Sequence, residues 1–168
     1  MARHAKSLYF TGPGFVCVEA EDVPTPGATD VLIESATSGI SAGTELNVYR
    51  GYAPQWRQSM DPKTRLFSSD GASDWNWPAR YGYASVGRIV ELGQDVDGVS
   101  LGDWVFSYSP HGTHAVAAAN AVVPLSGLSD PQLGIFFANL NTAYNGVLDA
   151  NLPLGGGVWG VGDRKSVV

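Results

Sequence analysis

Apolar and polar residues alternate in short runs over the first three quarters of the chain, interrupted at residues 52 to about 80, and give way to a helical stripe in the last quarter. "KSLYF" and "GFVCVEA" alternate with a period of two on either side of "TGPG". That pattern predicts two short strands joined by a Gly/Pro turn. After the connection "EDVPTPGATD", the run "VLIESATSGIS" sets Val31, Ile33 and Ser35 against Leu32, Glu34 and Ala36, and predicts a third strand. "GTELNVYRG" follows as a short helical turn ending at Gly51.

Residues 52 to about 80 have no clean period, and they carry Trp56, Trp75 and Trp77. A connection of that length either has a function or folds against the body. Its tryptophans read as walls of a binding cleft or as pins holding the loop down. Alternation returns in "YGYASVGRIVELG", with Ala84, Val86 and Arg88 opposite Ser85, Gly87 and Ile89. Gly87 inside that strand predicts a bulge or a close backbone approach. "GVSLGDWVFSY" predicts a turn at Leu101-Gly102-Asp103 and another strand, and "GTHAVAAANAVVPL" two more, broken near Ala119-Asn120. Many short strands of this kind make a mainly β fold with a few helices, an irregular small barrel.

The period changes after Pro124. Leu133, Phe136, Phe137 and Leu140 share one helical stripe, which predicts helices near 130–138 and 141–150. Ser129 and Gln132 fit a capping box, and Pro131 fits the first turn. "LPLGGG" then leads into a strand-like end, "VWGVG".

Composition narrows the classes. The 168 residues suit one domain, and apolar content of 44% against 15% charged suits an ordered globule. Net charge is −6, with lysines and arginines scattered, so phosphate neutralisation of a nucleic acid is not expected. The single cysteine, Cys17, allows no internal disulfide and reads as a small buried core residue. No apolar stretch matches a signal peptide or a membrane span, so a soluble cytoplasmic protein is expected, with no membrane partner. His111 and His114 form H-x-x-H without a carboxylate nearby in sequence, a poor metal motif.

"VLIESATSGISAGTELNVYRG", "YGYASVGRIVELGQDVDGVSLGDWVF", "HAVAAANAVVPL", a helical region and "GVWGVG" occur in that order. Together they resemble the medium-chain dehydrogenase/reductase superfamily over residues ~5 to 162. The resemblance implies a GroES-like irregular β-barrel at 1–150 as the substrate domain. Residues 151–168 would hold only the first strand of a Rossmann domain. Gly160 and Gly162 match the first two glycines of its cofactor-binding turn, but Lys165 stands where the third belongs. The expected activity is hydride transfer between NAD(P)H and a small molecule, reducing an alkene, quinone or carbonyl or oxidising an alcohol.

The zinc-dependent members have ligands where this chain has Ser41, Gly82-Tyr83-Ala84 and, near the helical region, Ala138. The resemblance is therefore to the zinc-independent branch, with no zinc expected. Tyr83 would donate to a substrate oxygen or fill the space left by the metal. Ser41, Thr44 and Glu45 lie on the same loop; Thr44 could bond substrate or ribose, and Glu45 could serve structurally against a backbone N–H or an arginine. Thr142 would approach the nicotinamide or cap a helix. Without a complete nucleotide turn the chain is expected to bind NAD(P)H weakly and to be inactive alone. An apolar face of Phe136, Phe137, Leu140, Val158 and Trp159 would then favour a homodimer. A non-catalytic module binding a small molecule or a protein, or a fragment with no function of its own, is the alternative.

Overall fold

The alternation of "HAKSLYFTG" and "FVCVEAED" produces an antiparallel hairpin, β1 (His4–Gly12) and β2 (Phe15–Asp22), in the computed structural model, which describes residues 4–68 and 75–149. Gly14 makes the turn with φ of +81°, a conformation that favours glycine. β1 buries Ala5, Ser7 and Phe10, but β2 is an edge strand and most of it is exposed. Cys17 is consequently only half-buried, beside Glu19, and not the core residue expected. A period of two marks a strand's faces; it does not say whether either face is covered.

The main sheet has five strands: β3 (Asp30–Ser38), β7 (Ser85–Leu92), β8 (Trp104–Ser107), β9 (His114–Ala118) and β10 (Val123–Pro124), in the order β10-β8-β7-β3-β9. Short pieces complete the set: α1 (Thr44–Tyr49), β4 (Ser59–Met60) paired with β5 (Phe67–Ser68), and β6 (Ala79–Arg80) paired with β1. The break near Ala119-Asn120 is a single 3-10 turn, as the sequence suggested.

Two apolar clusters lie against the main sheet. One gathers Val31, Ile33, Ile89, Val105 and Val122; the other gathers Ala84, Val86, Phe106, Leu125 and Ala138. Residues 84 to 87 are all buried, so β7 is covered on both faces there. Burying each large aliphatic side chain contributes roughly 1.5–3 kcal/mol. Gly87 has the predicted close approach. A Cβ on it would touch the Glu34 carbonyl oxygen and come within 2.8 Å of Ile33 Cγ2, beside the irregular register of β3 against β7.

The hairpin is tied to the main sheet by the segment before β9. Leu8 N donates to His111 O (3.1 Å), Thr113 N to Lys6 O (2.8 Å), and Ser35 N to Thr113 O (2.9 Å). A third cluster, Phe10, Val48 and Ala53, carries the aromatic loop. Trp56 stacks on Trp77 with centroids 3.6 Å apart, meets Trp75 edge-on, and donates Nε1–H to the Val48 carbonyl. These contacts make the three tryptophans pins.

The C-terminal helical region departs from expectation. A 3-10 stretch, Pro131–Phe136, runs directly into one helix, α2 (Phe137–Asp149), where two were expected. No glycine or proline interrupts residues 137 to 145, so the backbone ladder continues through Asn139 and Asn141. The cap is Asp130, whose side chain accepts from Gln132 N at 3.0 Å, and not Ser129. The predicted stripe divides: Phe137 packs on Phe106, while Leu133, Phe136 and Leu140 are exposed. No helix among the described residues is long and apolar enough to cross a membrane.

Candidate functional site

Three segments converge at one end of the main sheet. Gly39 N donates to Ala84 O at 2.8 Å, which ties the loop after β3 to the turn before β7. Gly39 also faces Ile135, and a Cβ there would lie 2.8 Å from Ile135 Cγ1. The close approach leaves a hollow of about 90 Å³ whose wall includes Ser41, Tyr83, Ile135, Phe136 and Asn139. Ser41 and Tyr83 therefore share one hollow. Ala138 does not line it; it is buried against Val86 and Phe106, and Asn139 takes the wall position.

Ser41 lies in the loop before α1, its Oγ accepting from Thr44 N at 3.4 Å. Thr44 is exposed at the helix start and does not reach the hollow. Thr142 lies within α2 and donates its hydroxyl to the Ala138 carbonyl (3.0 Å), an internal helix bond. Gly160, Gly162, Val158 and Trp159 lie outside the described residues.

Glu45 turns inward beside Val48, on the buried face of α1. Its Oε1 accepts from Ser41 N (3.1 Å), and its Oε2 lies 2.6 Å from His111 Nε2. The other ring nitrogen, Nδ1, lies 2.9 Å from Ser38 Oγ. Both side chains of the pair are buried, and His111 N is fixed by the Tyr81 carbonyl at 3.1 Å. Gly82, with φ of +130°, makes room: a Cβ there would meet His111 N at 2.8 Å and its ring at 3.0 Å. Burial pushes the neighbouring Tyr81 phenol above its usual range, and Tyr83 and Glu45 add to the rise. The expected backbone partner of Glu45 is therefore present. The second partner is a histidine that sequence reasoning treated only as half of H-x-x-H. The available signal was an acid three residues before Val48 on a buried helix face, which requires a partner.

A second hollow, of about 310 Å³, lies between the hairpin and α1, with Glu45 and His111 in its wall. Ile40 lines both hollows. A larger depression of about 540 Å³, lined by Arg80, Tyr108 and His114 among others, shares none of these residues.

The first hollow offers a hydroxyl, a phenol and an amide. Zinc sites are built from thiolate, imidazole and carboxylate, so this donor set does not suit the metal. Among the described residues no three His, Cys, Asp or Glu side chains come together as a metal-holding group.

No family model matches the sequence. An L-threonine 3-dehydrogenase from Pyrococcus horikoshii is 29% identical over 106 residues, 62% of this chain and 26% of that protein. The match thus spans about a quarter of this curated relative's length. A Sinorhizobium meliloti protein described as a zinc-binding dehydrogenase, bound to NADP, superposes with a TM-score of 0.56 at 16% identity, over 80% of this chain and 42% of that one. The quinone oxidoreductase from Coxiella burnetii gives 0.53 at 20% identity, over 76% and 39%. The chain has the GroES-like fold of the medium-chain dehydrogenase/reductase superfamily, to which these dehydrogenases belong.

Proposed function

We propose that this chain is the substrate side of a zinc-independent oxidoreductase that moves a hydride between a nicotinamide cofactor and a small molecule. The reaction would reduce an alkene, quinone or carbonyl, or oxidise an alcohol. The observation that carries the reading is the hollow between Ser41, Tyr83 and Asn139, in a fold shared with an NADP-bound protein. Its neutral donors support chemistry without a metal. In this reading residues 1–150 are the substrate side and 151–168 enter the nucleotide-binding part.

The hollow, at about 90 Å³, is far smaller than a dinucleotide, so the described residues would supply one wall beside the nicotinamide ring. When bound, the nicotinamide supplies or accepts the hydride. The work of this chain is to orient the substrate and stabilise charge on its oxygen. The edge-on contact of its ring with Tyr81 supports that role for Tyr83. Its phenol would donate to the developing oxyanion, and Ser41 would add a second hydroxyl from the facing loop. Thr44 and Thr142, both exposed, remain candidates for contacts to the cofactor. Phe136, in the hollow wall, starts the exposed run Leu140, Tyr144 and Val147 on α2. That face would meet the nucleotide-binding half, or a second copy of the chain when alone.

Two results test the reading. Titration of the isolated chain with NADPH should show no saturable binding in the micromolar range by cofactor fluorescence. The chain joined to a nucleotide-binding half should oxidise NADPH with a quinone or enone, and Tyr83→Phe should slow turnover by about 10²-fold with little change in KM. Turnover unaffected by Tyr83→Phe removes the role given to the phenol.

A further inference from the structure

The second hollow has the make-up of a small-molecule site and shares Ile40 alone with the hydride-transfer wall. Its volume of about 310 Å³ falls at the lower end of the range for ligand pockets, which are mostly apolar with a few placed polar groups. Leu8, Phe10, Val16 and Leu46 line it with carbon. Two apolar side chains at the site stay open to water, Val16 at 49% and Ile40 at 74% exposure. A ligand could cover both.

The polar groups of the wall decide what kind of ligand fits. Tyr49 already donates its hydroxyl to the Gly14 carbonyl (2.7 Å). Each ring nitrogen of His111 already has a partner, Ser38 Oγ or Glu45 Oε2. Glu45 accepts one bond on each oxygen, from Ser41 N and from His111. A carboxylate offers about four acceptor sites, so capacity remains on Glu45 while the side-chain protons of the wall are engaged. Further polar contact in this hollow must come from a ligand that donates. An ammonium would do so, but only at the cost of desolvating a full charge among aliphatic side chains, whereas a hydroxyl is far cheaper to bury.

We propose that the hollow between the β1–β2 hairpin and α1 binds a small apolar molecule carrying one hydroxyl, a phenol or an aliphatic alcohol, whose O–H donates to Glu45. The site needs neither nicotinamide nor hydride transfer. If the chain binds such a ligand but supports no hydride transfer when joined to a nucleotide-binding half, the preceding reading falls and this one stands.

Two-dimensional amide NMR of the 168-residue chain, titrated with p-cresol, toluene and benzylamine, tests the site. p-Cresol should saturate, with shifts centred on Ile40, Leu46 and Tyr49. Toluene, which lacks only the hydroxyl, should bind at least about ten-fold more weakly, and benzylamine no better than toluene. Val16→Trp fills the hollow from a mostly exposed position; it should keep the folded spectrum and lose p-cresol binding. Glu45→Gln should weaken p-cresol about ten-fold while leaving toluene unchanged. Absence of saturation, equal affinity for toluene, tighter binding of benzylamine, or undiminished p-cresol binding to Val16→Trp each overturns the proposal.

Discussion

Replacing Gly87 by alanine should lower the unfolding free energy by about 3 kcal/mol, whereas the same methyl at Gly146 should raise it by about 0.5–1 kcal/mol. The two glycines differ in surroundings. Gly87 is buried in β7, where a Cβ would press on the Glu34 backbone and on Ile33 Cγ2 at 2.8 Å. Backbone in a paired central strand cannot move aside without disturbing β3, which also carries β9. Gly146 lies in α2, exposed, with nothing within 4 Å of a Cβ. There alanine only removes the entropy cost of ordering a glycine in a helix. Urea unfolding of the two variants beside the parent chain measures both effects. A Gly87→Ala variant within about 0.5 kcal/mol of the parent contradicts the packing described here.

Gly87 was legible because a glycine amid β-branched residues already signals crowding. Much of the fold was legible for similar local reasons: alternation gave β1, β3, β7 and β8, and the change of period after Pro124 gave the helical region. Errors came where a decision belonged to tertiary structure. Two helices were expected, near 130–138 and 141–150, yet α2 runs through the gap between them because nothing there removes a backbone hydrogen bond. Cys17 alternates like a core residue but sits on an edge strand. For the site, the family resemblance brought Ser41 and Tyr83 together, while Ala138 fell one residue away from the wall. The Glu45–His111 pair was out of reach, because its members are 66 positions apart and meet only when the segment before β9 docks on β1. Gly82 was quoted within a motif, but its reason, room for the His111 ring, is visible only in three dimensions.

That pair carries the other large expected effect. Glu45→Ala should destabilise the chain by about 3 kcal/mol, because it leaves the Ser41 N–H and the buried His111 ring without their partner, at about 1–3 kcal/mol each. Glu45 is only 2% exposed and His111 6%, so water cannot replace the lost partner cheaply. Two bonds go at once: the 2.6 Å contact to His111 and the 3.1 Å bond from Ser41 N that holds the loop before α1. A small domain has a total stability of about 5–15 kcal/mol, so the loss is a large part of it. His111→Ala should cost a similar amount, and the double variant clearly less than the two together, with a coupling of about 0.5–3 kcal/mol. Glu45→Gln keeps the shape and can still accept from Ser41 N, so it should cost less than Glu45→Ala and remain folded. Urea titrations of the four variants at one pH and one salt concentration measure the cycle. If the single losses simply add, the imidazole and carboxylate do not depend on each other. The His111 ring would then be held through Ser38, with its backbone fixed by Leu8 N and the Tyr81 carbonyl, and Glu45 would act only on the loop before α1.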